Sequence, residues 1–158
     1  MTESITGPAV VLGDDVNTDV LQPSRFFSLD RETRAAGVLG GRNTALLEGA
    51  ILVAGRNLAV GSSREAVILG IREAGVVAVV AGSISRIFVR NAVNIGLPVM
   101  SGLNDNGAIH NGDIVTLDLD RSVLERGSDG AVWPLDPLDP YLRGVLEAGG
   151  LIPFLEQA

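Results

Sequence analysis

The sequence contains no cysteine and, among its 12 basic residues, no lysine. Without thiolates the chain alone cannot form disulfides, hold an iron–sulfur cluster or supply a cysteine nucleophile. Without lysine it can form neither a Schiff base nor a Walker-type phosphate loop. Its single histidine, His110, precedes the turn signal Asn111-Gly112 and cannot assemble a histidine-based metal site. We therefore expect no metal held by this chain.

Long apolar runs and excess positive charge are also absent. The most apolar segment, Val76–Ala81, is far shorter than the roughly 20 residues that span a bilayer. Met1–Asp15 lacks a basic region followed by a cleavable apolar stretch, so we expect a soluble, cytoplasmic protein. A formal charge of -7 disfavours nucleic-acid binding, and any anionic ligand would need a local concentration of arginine.

The order of predicted elements indicates an α/β fold in one domain spanning residues 1–158. The middle of the chain alternates apolar strands with helices, which predicts a parallel sheet joined by helical crossovers. These segments are Ile51–Ala54, Ser63–Ala74, Val76–Ala81, Ile84–Ile95 and Leu97–Met100.

The ends of the chain predict a β-rich flank. Residues Ile114–Leu119 alternate in polarity, and a turn leads into a further strand, so this half is expected to be antiparallel. The expected fold is a partly parallel sheet flanked by helices. The remaining predicted segments are a short strand at Val10–Val11, a long connection with one short helix at 24–49, a strand at Ala131–Trp133 and a closing helix at Tyr141–Glu147.

The segment Gly61-Ser62-Ser63-Arg64-Glu65 lies between an apolar strand and a helix. The first N–H groups of a helix lack internal partners, and an arginine fork binds a carboxylate through two hydrogen bonds, so these parts suit an anion. A structural reading is equally open from this segment alone. In that reading Ser62 is an N-cap and Ser62-x-x-Glu65 a capping box.

Four blocks of sequence, from about residue 13 to residue 153, stand out. They are Gly13–Asp19 with Pro23, Ile51–Asn57 with Gly61–Glu65, Ser85–Asn91 with Asn94–Pro98, and Glu147–Pro153. In this order the blocks resemble the small-domain family of aconitase-type enzymes, and the last is similar to the closing segment of the short, archaeal-like 3-isopropylmalate dehydratase small subunits.

The resemblance implies a swivelling β/β/α domain that closes over a large subunit. In this family the large subunit holds a 4Fe–4S cluster, and the reaction is the dehydration or isomerisation of a small hydroxy di- or tricarboxylate. The leading expectation is the small subunit of 3-isopropylmalate dehydratase, in leucine biosynthesis, inactive without its partner. The alternatives are the same chemistry on a dimethylmalate- or homoaconitate-like acid, a non-catalytic anion-binding or regulatory module, and an oligomeric scaffold.

The resemblance also assigns roles by position. Ser62 matches the family's base, and Ser63 and Arg64 match residues that hold a substrate carboxylate. Thr18 and Asp19 match residues of the family's first loop that orient the substrate-binding side chains without contacting the substrate. Asp19 also fits an Asx-type turn. Arg25 and Arg31 lie where the family places substrate-selecting residues and are candidate carboxylate ligands.

Two places depart from the family pattern. Ala59-Val60 stands where glycine–cysteine or glycine–glutamate is usual, and Ala66 stands in place of a histidine. The surroundings of the site are therefore more apolar than usual. This difference leaves the substrate open, together with the possibility of a catalytically reduced relative.

Overall fold

The computed structural model describes residues 4–23, 31–41, 44–61 and 65–157. Seven strands form one mixed sheet in the order β4-β3-β2-β1-β5-β6-β7. The strands are β1 (Ser4–Val11), β2 (Ile51–Ala54), β3 (Ala78–Ala81), β4 (Val99–Met100), β5 (Ile114–Asp118), β6 (Val123–Arg126) and β7 (Val132–Pro134). The α-helices are α1 (Thr18–Leu21), α2 (Arg31–Ala36), α3 (Thr44–Leu47), α4 (Glu65–Glu73), α5 (Arg86–Asn94), α6 (Pro140–Glu147) and α7 (Leu151–Glu156), with 3-10 turns at Val38–Gly41 and Asn106–Ala108.

The parallel half of the sheet contains β1 to β4, with α4 and α5 as the crossovers between β2, β3 and β4. All residues of β2 and β3 are buried, as expected of parallel strands covered on both faces. Their side chains alternate between two cores. Leu52 and Val79 pack with α4, whereas Ile51 and Val80 pack with residues of β5 and α6. The predicted parallel sheet is confirmed.

The antiparallel half begins at β1, which pairs with β2 on one side and with β5 on the other. β5, β6 and β7 then follow as antiparallel neighbours. In β5, Val115 and Leu117 are buried while Ile114 is exposed, so one face of this strand packs on the core. The predicted β-rich flank and the α/β class are confirmed.

Four features differ from the sequence expectations. β1 is eight residues long rather than a short strand at Val10–Val11, because its first five residues pair with β5. Gly7, which disrupts the strand pattern, allows close backbone approach there: a Cβ would lie 2.2 Å from the Gly49 carbonyl oxygen. Strand β6 offers only two apolar residues, and α7 contains Pro153, so neither is predicted. The connection at 24–49 contains α2, α3 and a 3-10 turn rather than one short helix.

Candidate functional site

The loops that follow β1, β2 and β3 meet at the carboxyl edge of the parallel sheet, where α/β folds commonly bind ligands. The N–H of Asp15 donates to the Arg56 carbonyl oxygen at 2.8 Å, and the N–H of Leu58 donates to the Ser83 carbonyl oxygen at 3.0 Å. Backbone hydrogen bonds therefore join all three loops. The loop after β2 lies between the other two and leads directly to residue 62.

Every second residue from 57 to 61, in the loop after β2, has a positive φ. They are Asn57 at 59°, Ala59 at 64° and Gly61 at 123°. For a non-glycine residue this conformation costs on the order of 1–3 kcal/mol and persists only where the surroundings impose it. Ala59 is 2% exposed, and its N–H donates to the Val16 carbonyl oxygen at 2.7 Å. The loop is therefore a strained segment held by tertiary contacts, as is common beside functional sites.

Thr18 lies against the end of this loop. Its N–H donates to the Val60 carbonyl oxygen at 3.3 Å, and a Cβ on Gly61 would lie 3.2 Å from the Thr18 hydroxyl oxygen. Thr18 is buried, with 6% of its surface exposed. The structure thus brings together two segments that are 42 positions apart in the sequence, Thr18 and Val60-Gly61.

Helix α1 sets the orientation of Thr18 and Asp19. Asn17 is its N-cap, and its side-chain oxygen accepts a hydrogen bond from the Val20 N–H at 2.9 Å. Thr18 consequently faces inward, whereas Asp19 is exposed in the first helical turn. The Asx-type capping role belongs to Asn17 rather than to Asp19.

The other predicted site residues are not tested by these contacts. Ser62, Ser63, Arg64 and Arg25 lie outside the described residues, and so does the side chain of Arg31, which begins α2. The flanking backbone is described on both sides, as far as Gly61 before this segment and from Glu65, the first residue of α4, after it. Their roles remain predictions.

Arg56 is a charged residue at this edge that the sequence reasoning did not single out. Its N–H donates to the Asp14 Oδ1 at 2.8 Å, and its guanidinium lies 3.4 Å from the Asp14 Oδ2. The backbone hydrogen bond from Arg56 is the main cause that lowers the pKa of Asp14 below its ordinary value, and the guanidinium adds to it. The signal available in the sequence was only its position in the turn from Gly55 to Gly61, directly after an apolar strand.

Neither a metal site nor a membrane span is found in the described part of the chain. Within residues 4–23, 31–41, 44–61 and 65–157, no group of three or more histidine, aspartate and glutamate side chains is placed to hold a metal ion. The chain also contains no cysteine, so its residues do not fit an iron–sulfur cluster of their own. In the same ranges, no helix is both long and apolar enough to cross a membrane.

Comparison with known proteins identifies the family. The family described as the aconitase C-terminal domain matches residues 39–101. The 3-isopropylmalate dehydratase small subunit of Pyrobaculum aerophilum is 37% identical, with 98% of this chain and 98% of that protein covered. The chain belongs to the aconitase-type dehydratase small subunits.

Two further members illustrate the range of this family. The methanogen homoaconitase small subunit of Methanothermobacter thermautotrophicus is 39% identical, with 94% of this chain and 88% of that protein covered. The crystal structure of the 3-isopropylmalate dehydratase of Methanocaldococcus jannaschii has a TM-score of 0.88 at 34% identity, covering 98% of this chain and 94% of that one. The family resemblance and fold expected from the sequence are therefore confirmed. Members of this family are subunits of hydro-lyases.

Proposed function

We propose that this chain is the small subunit of a 3-isopropylmalate dehydratase and that residues 1–158 form its single swivelling domain. The observation that supports a catalytic role is the hydrogen bond from the Thr18 N–H to the Val60 carbonyl oxygen, which holds Val60-Gly61, directly before Ser62 in the sequence, at the carboxyl edge of the sheet. Every strand of the described chain joins one sheet, which supports one domain.

In this proposal Ser62 is the base of the dehydration. It takes the proton from the carbon next to a carboxylate. The electron pair of the broken C–H bond forms the carbon–carbon double bond, and the hydroxyl leaves the neighbouring carbon with the electron pair of the C–O bond. A serine is a weak base in water and needs donors and positive charge around its oxygen. The N-terminal end of α4, which begins at Glu65, and the guanidinium of Arg64 are candidates for both.

Arginines and a serine bind the substrate in this proposal. Ser63 and Arg64 hold one carboxylate, and Arg25 and Arg31 are candidate ligands for another. Thr18, which is buried and hydrogen-bonded to Val60, and Asp19 orient this segment. The exposed apolar side chain of Val60, beside Gly61, favours an alkyl-substituted acid over a tricarboxylate.

The substrate of homoaconitase is the second candidate. The relative named methanogen homoaconitase small subunit is as similar to this chain as those named for 3-isopropylmalate. An additional carboxylate in place of the isopropyl group would require another positive ligand, so Arg25 and Arg31 would then have to bind two different carboxylates, one each. The residues that face the isopropyl group or the additional carboxylate therefore distinguish the 3-isopropylmalate reaction from the homoaconitase reaction.

The proposed partner is a large subunit that carries a 4Fe–4S cluster, since this chain has no thiolate to hold one. Relatives named as small subunits support a heteromeric enzyme. The location of the protein in the cytoplasm stays a prediction.

The proposal is tested by anaerobic co-expression with candidate large subunits from the same genome. We expect a complex that dehydrates 3-isopropylmalate faster than homocitrate, measured by the ultraviolet absorbance of the unsaturated product. Ser62→Ala should lower kcat by several orders of magnitude with little change in KM, because it removes a group used mainly in the transition state. Ser128→Ala, at an exposed turn, is the matched control and should be fully active.

The capping alternative makes the opposite prediction. If Ser62 serves only as an N-cap, Ser62→Ala should lower the free energy of unfolding by about 1 kcal/mol and leave the activity per folded complex unchanged. A non-catalytic anion-binding module is distinguished by calorimetry: the isolated chain would bind 3-isopropylmalate without a partner, and no large subunit would co-purify.

A further inference from the structure

Asn57 links the three loops at the carboxyl edge of the parallel sheet. Its side-chain Nδ2 donates to the Asp15 Oδ1 at 2.9 Å, which reaches the loop after β1. Its backbone N–H donates to the Ser83 Oγ at 2.8 Å, which reaches the loop after β3. Asn57 itself belongs to the loop after β2 and precedes the proposed base by five positions.

The Asp15–Asn57 hydrogen bond belongs to a series that joins the loops after β1 and β2. The Arg56 N–H donates to the Asp14 Oδ1 and the Asp15 N–H to the Arg56 carbonyl oxygen, each at 2.8 Å, and the Asp15–Asn57 side-chain bond comes next. It is followed by the bond from the Ala59 N–H to the Val16 carbonyl oxygen at 2.7 Å and by the bond from the Thr18 N–H to the Val60 carbonyl oxygen at 3.3 Å. The side-chain bond thus lies in the middle of a ladder that ends at the hydrogen bond between Thr18 and Val60.

Both partners of this side-chain bond have left-handed backbones. Asp15 has φ of 57° and Asn57 has φ of 59°. Asparagine and aspartate are the non-glycine residues that enter this region most readily. Each residue therefore combines a local turn with a hydrogen bond between loops, and exchanging the two residue types would preserve both backbone preferences.

We propose that Asn57 is a positioning residue: through Asp15 it fixes the segment Ala59–Gly61 against Thr18 and so places the adjacent Ser62 for turnover. This proposal rests on the proposed function. In the proposed reaction Asn57 contacts no reacting atom. Its role is to hold the loop after β2 in its strained backbone conformation. A displacement of about 1 Å in a catalytic group can lower turnover on the order of a hundredfold.

The test is a reciprocal exchange in the assembled enzyme with 3-isopropylmalate. Asn57→Asp replaces the donor with a second carboxylate opposite Asp15, and we expect kcat to fall roughly ten- to a hundredfold with KM within about twofold. The double variant Asn57→Asp with Asp15→Asn restores one donor and one acceptor, and kcat should return to within about threefold of the wild type. A residue needed only for folding would not give this rescue of turnover per folded complex.

Hydrogen exchange of the peptide spanning residues 57–61, read in the same complexes, tests the positioning independently of activity. We expect faster exchange in Asn57→Asp and wild-type protection in the double variant. Wild-type kcat or unchanged exchange in Asn57→Asp, or a folded double variant that stays slow, would overturn the proposal. A wild-type complex inactive on both 3-isopropylmalate and homocitrate would instead contradict the proposed function, while the exchange data would still decide the role of Asn57.

Discussion

At the scale of single residues, the proposed site depends on the geometry of Arg64 as well as on its charge. Arg64→Lys keeps a positive charge but loses the planar fork that binds a carboxylate through two parallel hydrogen bonds. We expect the assembled enzyme to lose roughly 2–4 kcal/mol of transition-state stabilisation, calculated from the fall in kcat/KM. Both KM and kcat should be affected. Arg121→Lys, at an exposed arginine, is the matched control and should leave both constants unchanged.

Arg126 shows a second use of arginine, in structure rather than in the site. Its Nε and Nη2 bind the two oxygens of Asp129 at 3.0 and 2.8 Å, its Nη1 donates to the Ala108 carbonyl oxygen at 2.6 Å, and its guanidinium lies 5.2 Å from the centre of the Trp133 ring. The hydrogen bond from Arg126 is the main cause that lowers the pKa of Asp129 to about 2. Sequence reasoning did not find this cluster because its members come from separate turns and strands.

This cluster predicts a pH dependence of stability. Because the pKa of Asp129 is lower in the folded state than its ordinary value of 3.8, the stabilisation is fully present above about pH 4 and is lost as the pH falls from about 4 to 2. Urea unfolding should show this fall in the wild type. Asp129→Asn should be less stable at pH 7 and should fall less steeply over that interval; an unchanged slope would contradict the assignment.

At the scale of elements, glycines set how closely helices approach one another. Gly96, after α5, has φ of 83°, and a Cβ there would lie 2.6 Å from the carbonyl oxygen of Gly149, at the junction of α6 and α7. Any side chain at Gly96 therefore combines backbone strain with a steric clash. The clashing atom belongs to the backbone, which cannot rotate away as the end of a flexible side chain can.

We expect Gly96→Ala to lower the free energy of unfolding by about 2–5 kcal/mol. Gly112→Ala, at φ of 89° with nothing within 4 Å, isolates the strain and should cost about 1–2 kcal/mol. Gly13→Ala, which has neither positive φ nor close neighbours, should be nearly neutral. Chemical denaturation of the three variants measures these differences, and an equal loss in Gly96→Ala and Gly112→Ala would show that the close approach contributes nothing.

At the scale of the whole molecule, the absence of cysteine divides the proposed enzyme between two chains. After anaerobic incubation with iron and sulfide, we expect the isolated chain to remain colourless and to contain no stoichiometric iron. The complex with its large subunit should contain both iron and activity. Iron analysis and visible absorption of each purified species measure this, and a stoichiometric cluster on the isolated chain would refute the division.

The sequence by itself determined the family and the parallel half of the sheet, and it was enough to propose a division of labour with a partner. Apolar β-branched runs such as Val79-Val80 are typical of strands covered on both faces, and helical segments between such runs favour a parallel sheet with right-handed crossovers. The motif Gly61–Glu65 and the missing cysteines are local facts of composition, so they needed no structure to be recognised.

The tertiary structure alone decided which segments meet. The hydrogen bond between Thr18 and Val60 and the link from Asp15 through Asn57 to Ser83 join residues that are far apart in the chain. The Arg126 cluster joins residues that are nearer in the chain but belong to different turns and strands. Strand β6 likewise forms through its antiparallel pairing with β5, although the alternation of apolar and polar residues in its own sequence is weak. Periodicity reports only which face of an element is buried, whereas contacts between loops depend on where the sheet places their ends.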